Sequence, residues 1–208
     1  MLSIIHASVT AIRQVDLKRI VAYSSIAHMN FGLLGLFSLN IDGLQGCLFL
    51  MLAHGIVSAA LFFLIGILYD KYHTRNLFYY GGLVQVMPFF SIYLLVFSFA
   101  NIALPGTCNF IGEFLVMLGL IDKNFIILIL SCVNIILCVA YTMGMFNKIV
   151  FGNLKKKYSV RYNDVLKKDH LILFPLTILT IVFGFIPNTL LNTTFAYVFF
   201  LTQLLNFN

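Results

Sequence analysis

Asn101-Ile-Ala-Leu-Pro-Gly-Thr-Cys-Asn-Phe-Ile-Gly-Glu-Phe-Leu-Val-Met-Leu-Gly119 puts a helix breaker and a carboxylate inside an apolar run, and its reading decides the fold. The run extends from Val84 to Ile121. As one straight helix it would measure roughly 57 Å, about twice the hydrocarbon thickness of a bilayer. Pro105 lacks a backbone donor and Gly106 lacks a Cβ, so the helix is predicted to break there. The break leaves carbonyls near Asn101 and amides near Phe110 without intrahelical partners. Such groups cannot face lipid, and interrupted helices of this kind mark binding or ion-handling sites in transporters. Glu113 follows at a depth where a charge costs at least ~2.5 kcal/mol. A purely structural carboxylate would pair with a cation or hydrogen-bond across helices. In a polytopic protein the functional reading takes precedence.

The surrounding composition makes the polytopic reading firm. Of 208 residues, 61% are hydrophobic and only 10% are charged, with a mean hydropathy of +1.00. Soluble domains carry about 25% charged residues, so a soluble globule is excluded. The 22 Phe and the absence of Trp, with many Asn, Ile, Tyr and Lys, suit an AT-rich organellar gene. No cleavable presequence precedes the first apolar segment. Cys47, Cys108, Cys132 and Cys138 lie in apolar segments without metal-ligand spacing, which argues against zinc or iron–sulfur ligation and reads as small buried apolar residues.

Met1–Ile12 is too short to span and reads as the end of a helix, interrupted by His6. Full spans are predicted at Ile20–Leu39, Leu44–Tyr69, Phe125–Val150 and Leu171–Ile186, with Val84–Ile121 as one broken crossing and Asn188–Asn208 as a semi-polar interfacial tail. The fold class is therefore an all-α polytopic membrane protein with about five full crossings and a partial N-terminal helix, residues 1–208 forming a single membrane domain. With this alternation Arg13, Lys18, Arg19, Lys71, Arg75, Lys148, Lys155, Lys156, Lys157, Arg161, Lys167 and Lys168 fall on one side and only Lys123 on the other. The positive-inside rule assigns the basic side to the matrix or cytoplasm. Splitting the broken crossing in two would place the Lys155–Lys168 cluster opposite Lys71 and Arg75, so one crossing is preferred. The cluster needs no nucleic acid to explain it, since basic loops beside a membrane set topology and meet anionic lipid.

Three polar positions inside the spans carry the chemistry. Tyr23-Ser-Ser-Ile-Ala-His-Met29 makes a polar stripe in which Ser25 and His28 lie three apart. His28 can relay a proton or simply hydrogen-bond a neighbour. His54, in Leu50-Met-Leu-Ala-His-Gly-Ile-Val-Ser58, sits mid-span, and Gly55 and Ser58 are expected to allow close helix approach. His6, His73 and His170 read as solvated structural residues. Two imidazoles and a carboxylate on three spans form a candidate chain of titratable groups. No lysine is buried in the spans, so a lysine near Glu113 is expected from another chain.

Asp16-Leu-Lys-Arg-Ile-Val-Ala-Tyr-Ser-Ser-Ile-Ala-His-Met29, Met51-Leu-Ala-His-Gly55, His73-Thr-Arg75, Gly81-Gly-Leu83 and Ala103-Leu-Pro-Gly-Thr-Cys-Asn-Phe-Ile-Gly-Glu-Phe114 together resemble the antiporter-like subunits of respiratory complex I. The resemblance runs from about Thr10 to Pro187. Sibling subunits of that family generally carry a lysine on the broken helix, so Glu113 narrows the resemblance to one member. The family is built from two inverted five-helix repeats with flanking helices, and this sequence is similar to the second repeat plus the final helix. By resemblance His28, His54 and Glu113 lie on the family's central hydrophilic axis, with flexibility and hydration supplied by Pro105 and Gly106.

The resemblance implies the C-terminal half of a proton-translocating membrane-arm subunit of NADH:ubiquinone oxidoreductase, multi-pass in the mitochondrial inner membrane. The enzyme activity belongs to the assembly. NADH, FMN, iron–sulfur clusters and ubiquinone are expected in partner subunits, with no cofactor and no redox chemistry in this chain. Expected partners are other membrane-arm subunits, membrane lipid and a second chain supplying the N-terminal half. A fragment of a multisubunit cation/proton antiporter and a non-pumping membrane-arm scaffold are the alternatives.

Overall fold

The computed structural model describes residues 1–121, 123–155 and 164–206. Eight α-helices follow one another: α1 (Leu2–Arg13), α2 (Leu17–Ser38), α3 (Ile41–Tyr72), α4 (Pro88–Asn101), α5 (Cys108–Ile121), α6 (Phe125–Val150), α7 (Lys167–Phe185) and α8 (Asn188–Asn206). Two short 3₁₀ turns, Leu77–Tyr79 and Leu83–Gln85, lie between α3 and α4. Helices α2, α3, α6 and α7 are each long and apolar enough to cross a membrane. The 14 residues of α4 and the 14 of α5 each reach only about 21 Å and are short of a bilayer alone.

Contacts between helix ends fix which termini share a side. At one end the Leu17 amide donates to the Arg75 carbonyl at 3.0 Å and the Gly82 amide to Phe151 at 3.0 Å. At that same end Lys71 Nζ reaches the Asp164 carbonyl at 3.0 Å. The Asp164 carboxylate accepts from the Phe89 and Phe90 amides at 2.9 and 3.2 Å, and so caps α4 across the loop to α7. At the opposite end Asn40 Nδ2 donates to the Gly119 carbonyl at 3.3 Å. Helix α4 thus starts on the side where α3 ends, and α5 finishes where α3 begins. The pair is one broken crossing, giving five crossings with α2, α3, α6 and α7. Arg13, Lys18, Lys71, Arg75, Lys148, Lys155, Lys167 and Lys168 gather at the first end; Lys156, Lys157 and Arg161 lie outside the described residues.

Glycine sets how closely the inner helices approach. Helices α3 and α5 pack antiparallel with Gly43 against Gly119, Gly46 against Leu115 and Val116, and Leu50 against Gly112. A Cβ on Gly46 would stand 2.6 Å from the Val116 nitrogen, and one on Gly112 would stand 2.8 Å from Leu50 Cα. Gly35 of α2 enters the same junction against Gly43 and Val116. This is small-residue packing, which lets backbones touch where lipid supplies no hydrophobic drive. The expected close approach at Gly55 does not occur: a Cβ there would meet nothing within 4 Å, and Ser58 only bonds back to the Gly55 carbonyl.

The semi-polar C-terminal segment is a helix, α8, which packs against α3. It keeps Phe195, Tyr197, Phe200 and Leu201 exposed while Val198 is buried. His170 lies inside α7 rather than in a loop and exchanges a 3.0 Å hydrogen bond with the Tyr93 hydroxyl of α4. Asn188, Asn192, Thr193 and Thr194 dilute the hydropathy of α8, and its Thr hydroxyls bond back to carbonyls of their own helix.

Gly46→Ala is expected to force α3 and α5 apart and to lower stability by about 1–3 kcal/mol, the usual penalty for overpacking. Gly66→Ala on the same helix, with nothing within 4 Å of the new methyl, is expected to be neutral or stabilising. Graded heating of the native assembly, followed by gel analysis, compares the two.

Candidate functional site

Pro105 interrupts the broken crossing through one identifiable hydrogen bond. In a continuous helix the Asn101 carbonyl would accept from the amide four residues on, and that residue is Pro105, which has none. The chain turns there through Ala103 at φ 61° and Gly106 at φ 93°. Neighbouring carbonyls find local donors: Ile102 to Ser98 at 3.1 Å, Leu104 to Phe99 at 3.1 Å, and Thr107 to Leu104 at 3.0 Å. The Asn101 carbonyl takes the Cys138 thiol of α6 at 3.4 Å. Gly184 of α7 covers the Gly106–Thr107 backbone so closely that no side chain fits between them.

Below this break the three predicted residues meet. His28 Nδ1 of α2 lies 3.0 Å from Glu113 Oε1 of α5. The contact is at ion-pair distance without the alignment of a full hydrogen bond. The His54 ring of α3 stands 5.0 Å from the His28 ring, centre to centre, tilted by 30°. Exposure is 1% for His28, 3% for His54 and 5% for Glu113, so the three groups share a nearly dry space. They sit at a seam between two apolar clusters. One contains Phe31, Leu50 and Val116, and the other contains Val21, Ala53, Val57 and Cys108. The glycine-packed α3–α5 pair sets the height of His54 against Glu113, and the Cys108 thiol reaches the Ala53 carbonyl at 3.9 Å beside them.

The chemistry available is proton exchange within a charge-neutral pair. An imidazole facing a carboxyl can hold one proton on either partner, as imidazole with carboxylic acid or imidazolium with carboxylate. Both nitrogens of His54, the Asn101 Oδ1, the Asn109 Nδ2 and the Asn134 Oδ1 are buried without a protein partner. Buried polar atoms in that state ordinarily take individual ordered waters. No group of His, Cys, Asp and Glu suited to a metal ion occurs among the described residues.

Several participants were missed from sequence. Cys138 is no inert apolar filler: its Sγ lies 3.6 Å from His28 Nε2 and accepts the Tyr141 hydroxyl at 3.2 Å. Cys132, expected to be buried, is exposed. Asn134, Cys138 and Tyr141 fall at spacings of four and three along α6, one helical face, and that stripe was available to find them. The Ser24 and Ser25 hydroxyls of the polar stripe on α2 both bond back to the Val21 carbonyl, at 2.8 and 3.2 Å, and so do not extend the chain of titratable groups.

Residues 1–138 match the family described as NADH:quinone oxidoreductase/Mrp antiporter, transmembrane. NADH-ubiquinone oxidoreductase chain 4 of Chondrus crispus is 48% identical over 192 residues, covering 92% of this chain and 39% of that protein. NADH-quinone oxidoreductase subunit M of Rhodobacter capsulatus is 38% identical over 186 residues, covering 89% of this chain and 36% of that protein. A chain of respiratory complex I from Thermus thermophilus with bound NADH superposes with a TM-score of 0.91 at 27% identity, covering 98% of this chain and 43% of its own. A chain of the Mrp complex from Dietzia sp. DQ12-45-1b shares the fold, with a TM-score of 0.82 at 17% identity over 94% of this chain and 45% of its own. The chain spans about two fifths of the length of the curated relatives it matches.

His28→Leu strands the Glu113 carboxyl in a dry site and is expected to cost about 3 kcal/mol or more, the penalty for breaking a buried pair. Adding Glu113→Met should return most of that loss. Heat midpoints of the native assembly for both single variants and the double variant give the coupling directly; additive effects would show that the two side chains do not sense each other.

Proposed function

The chain belongs to the NADH:quinone oxidoreductase/Mrp antiporter membrane family, and on that premise we propose that it is the C-terminal half of a chain 4-type subunit moving protons in the membrane arm of respiratory complex I. The observation that carries this reading is the buried Glu113–His28 contact at 3.0 Å, placed beside a broken helix and next to a second buried imidazole. Glu113 is the terminal proton site and His28 its exchange partner. His54 feeds His28 through water bound at its two unpartnered nitrogens, since a ring separation of 5.0 Å asks for a bridging molecule. The break at Pro105 and Gly106 admits that water.

The cation that Glu113 lacks among the described residues, where His28 alone lies within ion-pair reach, comes from the part of the subunit beyond this stretch of sequence. Other membrane-arm subunits complete the assembly. NADH oxidation and quinone reduction take place there, on cofactors this chain does not hold, and drive proton steps by changing charge along the hydrophilic axis. The basic end faces the matrix of the inner mitochondrial membrane, by the positive-inside rule.

The shared fold with an Mrp complex chain supports a second reading, cation/proton antiport. Identities of 38–48% with complex I subunits over about nine tenths of the chain favour the first. Co-purification with flavin and iron–sulfur clusters supports complex I; sodium-dependent transport without NADH oxidation supports the antiporter.

Glu113→Gln keeps shape and hydrogen-bonding capacity but cannot exchange a proton. Assembly is expected to survive while NADH-driven pumping falls. Moving a charge through the membrane potential is worth ~2.3 kcal/mol per 100 mV, which a group of fixed protonation cannot exchange for work. An unchanged ratio of protons pumped to NADH oxidised in reconstituted vesicles would make Glu113 structural and leave a scaffold.

A further inference from the structure

We propose that Cys138 is a positioning residue that fixes the tautomer of His28, holding its proton on Nε2 and turning the bare Nδ1 toward Glu113. The inference deepens the proposed proton function and rests on it. Its geometry is a thiol with three polar neighbours on three different elements. Sγ donates to the Asn101 carbonyl at 3.4 Å, accepts from the Tyr141 hydroxyl at 3.2 Å, and stands 3.6 Å from His28 Nε2. Cys138 is buried, as are Asn101, Tyr141 and His28.

A thiol has one proton to give. Pro105 leaves the Asn101 carbonyl without its helical donor, so that carbonyl claims the S–H. The sulfur is then an acceptor toward everything else, and a ring nitrogen facing an acceptor must carry the hydrogen. His28 in its neutral form is therefore the Nε2–H tautomer. Its other nitrogen, 3.0 Å from Glu113 Oε1, holds a lone pair. When the protonated Glu113 carboxyl gives up its hydrogen, the O–H bond breaks, an Nδ1–H bond forms, and the pair becomes carboxylate and imidazolium with no change in net charge. In that state one ring N–H faces the Glu113 carboxylate at ion-pair distance and the other faces sulfur.

The opposite tautomer would place Nδ1–H against a protonated carboxyl, with no lone pair to receive its proton. A hydrogen bond to one ring nitrogen commonly decides the state of the other in this way. Groups facing His28 from the elements packed on it are His54 on α3, Glu113 on α5 and Cys138 on α6, with Tyr141 reaching the same sulfur from within α6. Of these only the thiol meets Nε2. The helix break and the proton pair are therefore joined by a single side chain that the sequence presents as an ordinary apolar residue.

The test uses the whole complex reconstituted in vesicles, with Cys138→Ser and Cys138→Ala each checked for assembly on native gels. Serine keeps one donor and two acceptor positions and is expected to pump at close to the unmodified rate with an unmoved pH profile. Alanine is expected to lower NADH-driven pumping by about tenfold, by analogy with the lower end of the loss seen when the orienting partner of a metal-bound histidine is removed, and to displace the pH profile. Tyr141→Phe, which leaves the S–H to Asn101 contact intact, should resemble serine. Alanine with the pumping rate and pH profile of the unmodified complex would overturn the proposal, as would equal losses for serine and alanine. If Glu113→Gln abolishes pumping while Cys138→Ala leaves it untouched, this inference fails and the proton function stands; if neither changes pumping, both fail.

Discussion

One absent hydrogen organises this protein. In lipid every backbone polar group must find a partner within the protein, and Pro105 denies the Asn101 carbonyl the amide that helix geometry assigns to it. The structure answers by turning the chain through two left-handed residues, Ala103 and Gly106, and by bringing the Cys138 thiol from α6 to the orphan. Helix α7 closes over the turn at Gly184, where only a glycine fits against the Gly106 carbonyl. Pro175 makes a useful contrast. It also lies within a crossing, yet α7 stays helical from Lys167 to Phe185 around it. No left-handed residue accompanies Pro175, so proline alone does not break a crossing, and the Pro105-Gly106 pair does.

The Glu113–His28 pair has an ambivalent energetic meaning. Desolvating a carboxylate and an imidazolium together costs several kcal/mol that their attraction barely recovers, so a buried ion pair is a poor way to hold helices together. Packing already does that work, since α2, α3 and α5 meet through Gly35, Gly43, Gly46, Gly112 and Gly119. What the pair provides that packing cannot is two protonation arrangements of equal net charge, separated by the movement of one hydrogen across 3.0 Å. Small changes of charge nearby can tip such a balance, and the proposed proton transfer needs that property more than rigidity.

Much of this was legible in sequence because the membrane narrows the alternatives. Composition and span length fixed the five crossings, and Pro105-Gly106 fixed the break. The rarity of charge in lipid singled out Glu113, His28 and His54, which the fold brings to one place. Hydropathy was silent on polar groups that read as apolar. Cys138 scores as hydrophobic, and its role depends on a carbonyl from a helix 37 residues away. Hydropathy also could not rank the glycines: Gly55 beside His54 looked like a contact and is open, whereas Gly46 and Gly112, in unremarkable surroundings, are the close approaches. Thr and Asn dilute the apolar face of α8, which is why its sequence reads as semi-polar.

The two halves of the broken crossing are held differently, and this bears on how a distant event reaches the proton pair. Glu113 rides on α5, which is clamped to α3 along its length by glycine contacts, so its distance to His54 is set by close backbone packing that resists adjustment. Helix α4 lies beyond the break and packs on α3, α6 and α7, with the Asp164 cap at its start, the Tyr93–His170 hydrogen bond along it and the thiol contact at its end. The Asn101 carbonyl at its end takes the Cys138 hydrogen, while the sulfur faces His28 Nε2. Of the three titratable groups, His28 is thus the one tied through Cys138 to the break at Pro105, whereas Glu113 and His54 ride on the glycine-packed α3–α5 pair.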